Sequence, residues 1–199
     1  MYEICSLNSL QKFTSWLKAI TGVMLIIICA MIPSFIILPK ADLSLSIIPL
    51  QSNWQIPGLF FTPLLCGAKI GTISAISYLI IGLFYLPVFH GGGSVGYILT
   101  HEFGYLLGFI PAAWTCGYLV EKNRKDTLIY YSFYTIISLS ILHLTGIIYI
   151  IFSKILVNFN SNLLDLILIN TLIPFPNQIL LCISISLISL LFKRILIAK

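Results

Sequence analysis

The chain alternates between long apolar runs and short charged or proline-containing breaks, and this alternation limits its folding more than any single motif does. Ala19–Leu38 carries no charge over about 20 residues. As a helix it is long enough to cross the ~30 Å hydrocarbon core of a bilayer. Pro39, Lys40 and Asp42 close it. Further apolar runs follow at Pro57–Ala68, Ile70–Leu86, Tyr97–Val120, Leu128–Phe152 and Leu172–Phe192. Pro57–Ala68 is short and reads as a helix beginning within the preceding loop. Lys154–Thr171 mixes Asn158, Asn160, Asn162 and Asp165 with leucines, and reads as an amphipathic segment at the membrane surface. The expectation is an all-α integral membrane protein. It has one transmembrane domain over residues 1–199, with spanning helices at about 19–38, 57–68, 70–86, 97–120, 128–152 and 172–192.

Composition decides between lipid and water as the solvent. Of the 199 residues, 59% are hydrophobic and 9% charged, against about 25% charged in soluble domains. The net charge of +5 does not point to nucleic acid, because the cations do not gather on one face with interleaved aromatics. They sort by topology instead. With six crossings, Lys12, Lys18, Lys69, Lys122, Arg124, Lys125, Lys193, Arg194 and Lys199 fall on one side, and only Lys40 and Lys154 on the other. The positive-inside rule then puts both termini in the cytoplasm of a plasma-membrane protein. The 39–56 connection, the glycine-rich segment at 90–96 and the 153–176 connection face outward. The first run is long enough to span and others follow it, so no cleaved signal peptide is expected. Five cysteines, none in a CxxC, read as small apolar helix residues rather than a disulfide framework.

Motifs for chemistry are sparse. The chain has no HExxH, nucleophile elbow or phosphate-binding P-loop. His101 and Glu102 are adjacent, so on a helix they point about 100° apart. His90, His101 and His143 form a metal site only if the fold brings them together. The richer region is the outer loop leading into helix four. Gly91, Gly92, Gly93 and Gly96 let backbone N–H groups approach a ligand, and a helix N-terminus welcomes a carboxylate. The plainer alternative is a flexible loop. Glu102 at membrane depth marks either a function or a favourable dipole contact. Trp54, Tyr85, Phe89, Tyr97 and Tyr105 line a pocket or form an interfacial belt. Gly104, Gly108, Ala112 and Cys116 recur every four residues and predict close helix packing. Gly67 and Gly71 form a weaker pair. On helix one, Ala19, Gly22 and Ala30 are irregularly spaced and give no clear docking motif.

Several segments resemble a known family. Ser77-Tyr78-Leu79-Ile80-Ile81-Gly82-Leu83-Phe84-Tyr85-Leu86-Pro87-Val88-Phe89, followed by Gly91-Gly92-Gly93, resembles the third helix and outer loop of BioY proteins. These are the biotin-binding S components of energy-coupling-factor (ECF) vitamin transporters. Phe103-Gly104-Tyr105-Leu106-Leu107-Gly108-Phe109 is similar to the same family's fourth helix. Gln55 and the stretch Leu64-Leu65-Cys66-Gly67-Ala68-Lys69-Ile70-Gly71 resemble its passage through helix two, and Pro174-Phe175-Pro176 the start of its last helix. Two departures stand out. Thr100-His101-Glu102 replaces a Gly-Pro-Thr element. In Pro176-Asn177-Gln178-Ile179-Leu180-Leu181, Gln178 stands for the family's acid and Leu181 for its lysine.

The resemblance implies a six-helix bundle of the ECF S-component type that captures biotin at the outer face for uptake and catalyses no reaction. Biotin is the transported ligand, with no covalently bound cofactor. The implied partners are an ECF coupling transmembrane subunit and two ATP-binding-cassette ATPases, which alone use ATP. The expected biotin-binding residues are Gln55, Phe89, Gly91, Gly92, Gly93, Tyr97, Glu102, Tyr105, Asn177 and Gln178. In that expectation Gln178 accepts from a ureido N–H and Glu102 supplies the missing anionic acceptor. The glycine loop, with His90 or His101, holds the carboxylate. The alternatives are an S component for another vitamin, a membrane enzyme using His101, Glu102 and His143, and a structural membrane subunit.

Overall fold

A computed structural model describes residues 2–39, 45–89, 92–123, 125–157 and 162–197. The first helix, α1 (Tyr2–Ala30), starts earlier and ends sooner than the expected 19–38. Its span is Leu10–Ala30. Proline explains the early end. Pro33 lacks an N–H and disfavours helical geometry at Ile32, and the β-branched pair Ile36-Ile37 favours extended chain. Residues Pro33–Pro39 (β1) pair antiparallel with Leu45–Asn53 (β2), in a register that sets Ile36 opposite Ile48 and Pro39 opposite Leu45. Hydropathy cannot tell a short apolar strand from the end of an apolar helix. The expected 39–56 loop is therefore largely a hairpin, which rests against the last helix.

Helices α2 (Gln55–Cys66) and α3 (Ala68–Phe84) meet at Gly67, where φ is +85°. A side chain at Gly67 would be strained in that conformation and would strike the Glu121 carboxylate. Glu121 Oε1 accepts the Ala68 N–H at 2.9 Å and so satisfies one of the open donors at the start of α3. With 12 residues, α2 is about 18 Å long, against about 25 Å for the 17 residues of α3. From the shared joint, α2 therefore reaches less far, and Gln55 lies in a recess.

The expected helix 97–120 divides. Val95–Leu99 is a tight 3-10 turn, followed by α4 (Phe103–Leu107) and α5 (Phe109–Asn123). Thr100 is extended, and its hydroxyl donates to the Tyr97 carbonyl at 2.7 Å, a local bond that competes with helix propagation. Helix α6 (Leu128–Val157) outruns its expected end. Lys154 therefore belongs to α6 rather than to the surface segment, and the rest of that segment contains α7 (Leu163–Ile167) and a π turn, Leu168–Leu172. The last helix, α8 (Phe175–Ile197), begins beyond Pro174.

The small-residue ridge does what its spacing predicts. Gly104 lies against Tyr149, and Gly108 against Leu142 and Thr145 of α6. Ala112 and Cys116 are fully buried, and Gly117 abuts the Gly67–Ala68 backbone. The bundle is apolar on its outside, and a few hydroxyls are set within its apolar core. Ser74, Thr135, Ser138 and Ser186 are buried, while Ile129, Phe133, Leu144, Phe152 and Leu191 are exposed. Ser74 Oγ donates to the Ala19 carbonyl at 3.1 Å, and the Thr135 and Ser186 hydroxyls lie 3.3 Å apart. Such cross-helix bonds contribute about 0.6 kcal/mol each in lipid. Among the described residues four helices are long and apolar enough to span, and α2 and α3 are shorter apolar helices that complete the six. The chain is a multi-pass membrane protein. The Glu121–Ala68 contact, the 2.7 Å Asp126–Lys193 bridge and the approach of Lys18 to Cys66 gather the described cations Lys12, Lys18, Lys69, Lys122, Lys125, Lys193 and Arg194 at one end.

Two outcomes follow. Gly108→Leu forces a side chain into the α6 backbone at Leu142, so the detergent-solubilised variant should melt several degrees lower, as overpacking costs about 1–3 kcal/mol. Burial pushes the Asp126 carboxyl up, but the hydrogen bonds from Lys193 and Tyr131 and the Lys193 charge outweigh it and hold it below its ordinary 3.8. A depressed carboxylate stabilises the fold above its ordinary pKa and loses that contribution as pH falls through the lower folded value. The melting difference between wild type and Asp126→Asn should correspond to no more than about 1 kcal/mol at neutral pH. It should shrink as pH falls below about 4.

Candidate functional site

At the end opposite the cations, α2, α4, α5, α6, α8 and the segment before α8 enclose a cavity of about 200 Å³. The recess left by short α2 places Gln55 and Ile56 in its wall. The break around Thr100 brings Tyr97 and Glu102 over it. Pro174, which ends the π turn, sets Gln178 one helical turn into the wall, and Gln178 N–H donates to the Pro174 carbonyl at 3.0 Å. Ile56, Leu106, Phe109, Leu142, Ile169 and Pro174 make the apolar lining. The polar lining is Gln55, Tyr97, Glu102, Tyr105, His143, Asn170 and Gln178. No lysine or arginine lies among these lining residues.

Most of the polar groups hold one another. Gln55 Nε2 donates to Tyr78 Oη at 2.9 Å, and Tyr78 Oη donates to the Val88 carbonyl at 3.1 Å. The Tyr97 hydroxyl donates to Glu102 Oε2 at 2.6 Å. The Tyr105 and Thr171 hydroxyls are 2.6 Å apart. His143 Nε2 and Gln178 Oε1 are also 2.6 Å apart. Asn170 turns its amide nitrogen back to the Leu166 carbonyl at 2.8 Å.

Of the ten expected residues, Gln55, Tyr97, Glu102, Tyr105 and Gln178 line this cavity. Phe89 does not. It is buried behind Tyr97, with ring centroids 5.0 Å apart, and meets Tyr78 edge-to-face at 5.5 Å. It plugs a gap over Gly82, where a side chain would collide with its ring. Gly92 has φ +123°, and its N–H already donates to the Phe89 carbonyl at 3.0 Å, so it is not an open donor for a carboxylate. Gly93 packs against the Gly82 and Leu86 carbonyls. Gly91 and His90 lie outside the described residues. Asn177 is not in the lining; one residue before Gln178 on α8, it points about 100° away. The Phe103 and Tyr105 N–H groups donate to Thr100 and Glu102 carbonyls, so the expected open helix N-terminus is partly closed by the chain itself. Trp54 lines a separate groove with Cys29 and Phe61, and Tyr85 is exposed.

Sequence reasoning missed His143, Asn170 and Ile169 as lining residues. Spacing gave no signal for His143, because only the approach of α6 to α8 brings it to Gln178. His101, Glu102 and His143 do not form a catalytic or metal constellation. Glu102 is engaged by Tyr97 and His143 by Gln178, and no group of three metal-ligating side chains converges among the described residues.

This architecture has the fold of a solved S component. It superposes with a TM-score of 0.72 on the crystal structure of the S-component for biotin from an ECF-type ABC transporter, covering 92% of this chain and 93% of that one. At 21% identity, that likeness speaks for the fold. Residues 7–198 match the BioY family, and the chain belongs to it. It is 36% identical over 96 residues to the probable biotin transporter BioY of Lysinibacillus sphaericus, spanning 48% of this chain and about half (49%) of that protein's length. It is 30% identical over 115 residues to the biotin transporter BioY of Thermotoga maritima, covering 56% of this chain and 66% of that one. It is also 28% identical over 146 residues to an uncharacterized 21.2 kDa protein from the psbX-ycf33 intergenic region of Cyanophora paradoxa, covering 72% and 74%.

Burial raises the Tyr97 phenol, and its hydrogen bond to the Glu102 carboxylate raises it further. Tyr97 should therefore stay protonated where ordinary phenols ionise, near pH 10. Phenolate absorbance of wild type and Tyr97→Phe should superimpose through about pH 11, whereas Glu102→Gln should shift one tyrosine toward the ordinary value.

Proposed function

We propose that the chain captures biotin from the outside of the plasma membrane and passes it inward as the S component of an ECF transporter. The cavity carries this reading. It joins an apolar body to a few convergent polar groups, which is how small-ligand sites are built, and it stands at the end of a BioY-family bundle opposite the cations. The positive-inside rule assigns that cation-rich end, and with it both termini, to the cytoplasm. The cavity then opens outward.

Biotin has an apolar thiophane ring, a ureido ring with two N–H donors and one acceptor, and a valerate carboxylate. The thiophane fits against Leu106, Phe109, Leu142 and Ile169, and the ureido ring against the polar wall. No lysine or arginine lines the interior, so the carboxylate stays toward the mouth. Access runs between the β1–β2 hairpin, the glycine-rich segment and the start of α8. The protein's part is binding and release, not catalysis. Energy for inward release comes from outside the chain, from a coupling transmembrane subunit and two ATP-binding-cassette ATPases. Gln178 in place of the family's acid, with Leu181 buried in the core, also favours a second reading, an S component for another vitamin.

Equilibrium binding of labelled biotin to the purified chain separates the two. Saturable binding displaced by cold biotin, and not by riboflavin, thiamine or folate, is the expected result. Displacement by another vitamin alone assigns the second reading. Glu102→Gln should weaken biotin at least tenfold, about 1.4 kcal/mol. An unchanged affinity removes Glu102 from the ligand's contacts.

A further inference from the structure

Three buried side-chain polar atoms lack a hydrogen-bond partner among the described residues: Tyr134 Oη, His143 Nδ1 and Ser189 Oγ. Of these residues only His143 lines the cavity. A buried polar atom left alone costs about 1–3 kcal/mol, so it calls for a partner.

The hydrogen bond on the other side of the ring says what kind of partner. Gln178 Oε1 is an acceptor, so the His143 Nε2 that lies 2.6 Å from it carries the proton. In a neutral imidazole the other nitrogen, Nδ1, is then a bare acceptor. The same bond commits the Gln178 oxygen and leaves its NH2 group, which has no partner among the described residues and is not a buried orphan. The imidazole cannot easily turn away. Tyr105 and Phe175 meet it edge-to-face, with centroids at 5.7 and 5.2 Å. The pair thus leaves one unpaired acceptor on His143 and one unpaired donor on Gln178, both residues of the cavity lining, and neither group is charged.

An N–H beside a C=O is the complementary edge, and a cyclic urea carries one. We propose that His143 and Gln178 together read the ureido ring of the ligand, His143 Nδ1 accepting from a ureido N–H and the Gln178 amide donating to the ureido oxygen. This rests on the biotin reading above and extends it. It gives Gln178 the donor role instead of the acceptor role its sequence position suggests, and gives the acceptor role to a residue on α6. A neutral donor–acceptor pair also selects differently from a carboxylate. A carboxylate welcomes a cationic guanidinium ring, whereas the Gln178 NH2 opposes one, donor against donor.

The test compares biotin with 2-iminobiotin, whose ureido carbonyl is replaced by a C=N–H that is protonated at neutral pH. Wild type should bind biotin and discriminate against 2-iminobiotin at least a hundredfold. Gln178→Glu should narrow that ratio at least tenfold. His143→Phe should weaken biotin at least tenfold without lowering the melting temperature comparably. His143→Asn, whose amide oxygen reaches near the Nδ1 position, should recover part of the loss. His143→Gln, which reaches only the Nε2 position, should not. If wild type binds no biotin, this assignment and the biotin reading fall together. If wild type binds biotin but His143→Phe binds it equally well, the assignment falls alone. The same holds if 2-iminobiotin binds within a few-fold of biotin and loses that binding in Glu102→Gln, a result that gives the ureido ring to Glu102.

Discussion

The close approach of α4 and α5 to α6 is the contact on which the rest of the molecule depends. In lipid there is little hydrophobic drive between helices, so association relies on packing at short range. Gly104 and Gly108 remove the side chains that would hold α6 away, letting Tyr149, Thr145 and the Leu142 backbone come against them. The same approach carries His143, one residue beyond Leu142, to the cavity wall and into reach of Gln178 on α8. Farther along, on α5, Gly117 fits against Gly67–Ala68, and Glu121 caps α3. One ridge of small residues thus fixes both the joint at the cation-rich end and the cavity at the opposite end.

The distribution of polarity follows from the solvent. Backbone groups within hydrocarbon must be satisfied inside the chain, and serine and threonine hydroxyls do the same by bonding to carbonyls one turn back, as Thr72, Ser138 and Ser186 do. Besides the Gly67 joint, irregular backbone borders the cavity or lies at its end of the bundle. The π turn at Leu168–Leu172, the turn at Val95–Leu99 and the hairpin all lie there. These breaks shape the cavity, because each stops a helix short and leaves room that a regular bundle would fill.

The cavity itself is economical with charge. One carboxylate, Glu102, is held by Tyr97, and the remaining polar groups are amides, phenols and one imidazole. Such a site suits a ligand whose buried part is neutral and hydrogen-bonding and whose charged part remains at the mouth. Because a burial penalty of several kcal/mol attaches to an unpaired charge, the pose proposed for biotin, with its anionic end at the mouth, would let it enter and leave without stripping its carboxylate of water.

Much of this was legible in the sequence, and what was hidden has a consistent cause. Apolar runs long enough to cross a bilayer, and cations that sort mostly to one side of the crossings, define a six-helix membrane protein because hydropathy and charge act residue by residue. The four-residue recurrence of small side chains defines the packing ridge because a helix repeats every 3.6 residues. The end of α1 was not legible, since Phe35–Leu38 is as apolar in a strand as in a helix. The site was half legible. Gln55, Tyr97, Glu102, Tyr105 and Gln178 stand near turns and prolines that mark the outer surface, and they do meet in the cavity. Phe89, Gly93 and Asn177 share those neighbourhoods, yet they lie outside the lining of the cavity. His143 carries no local mark at all, lying in mid-helix among leucines and isoleucines. Only the tertiary structure decides which side chains face one another, because the direction a side chain takes is set by how the helices rotate and approach. That is a property of their mutual packing and not of any one segment.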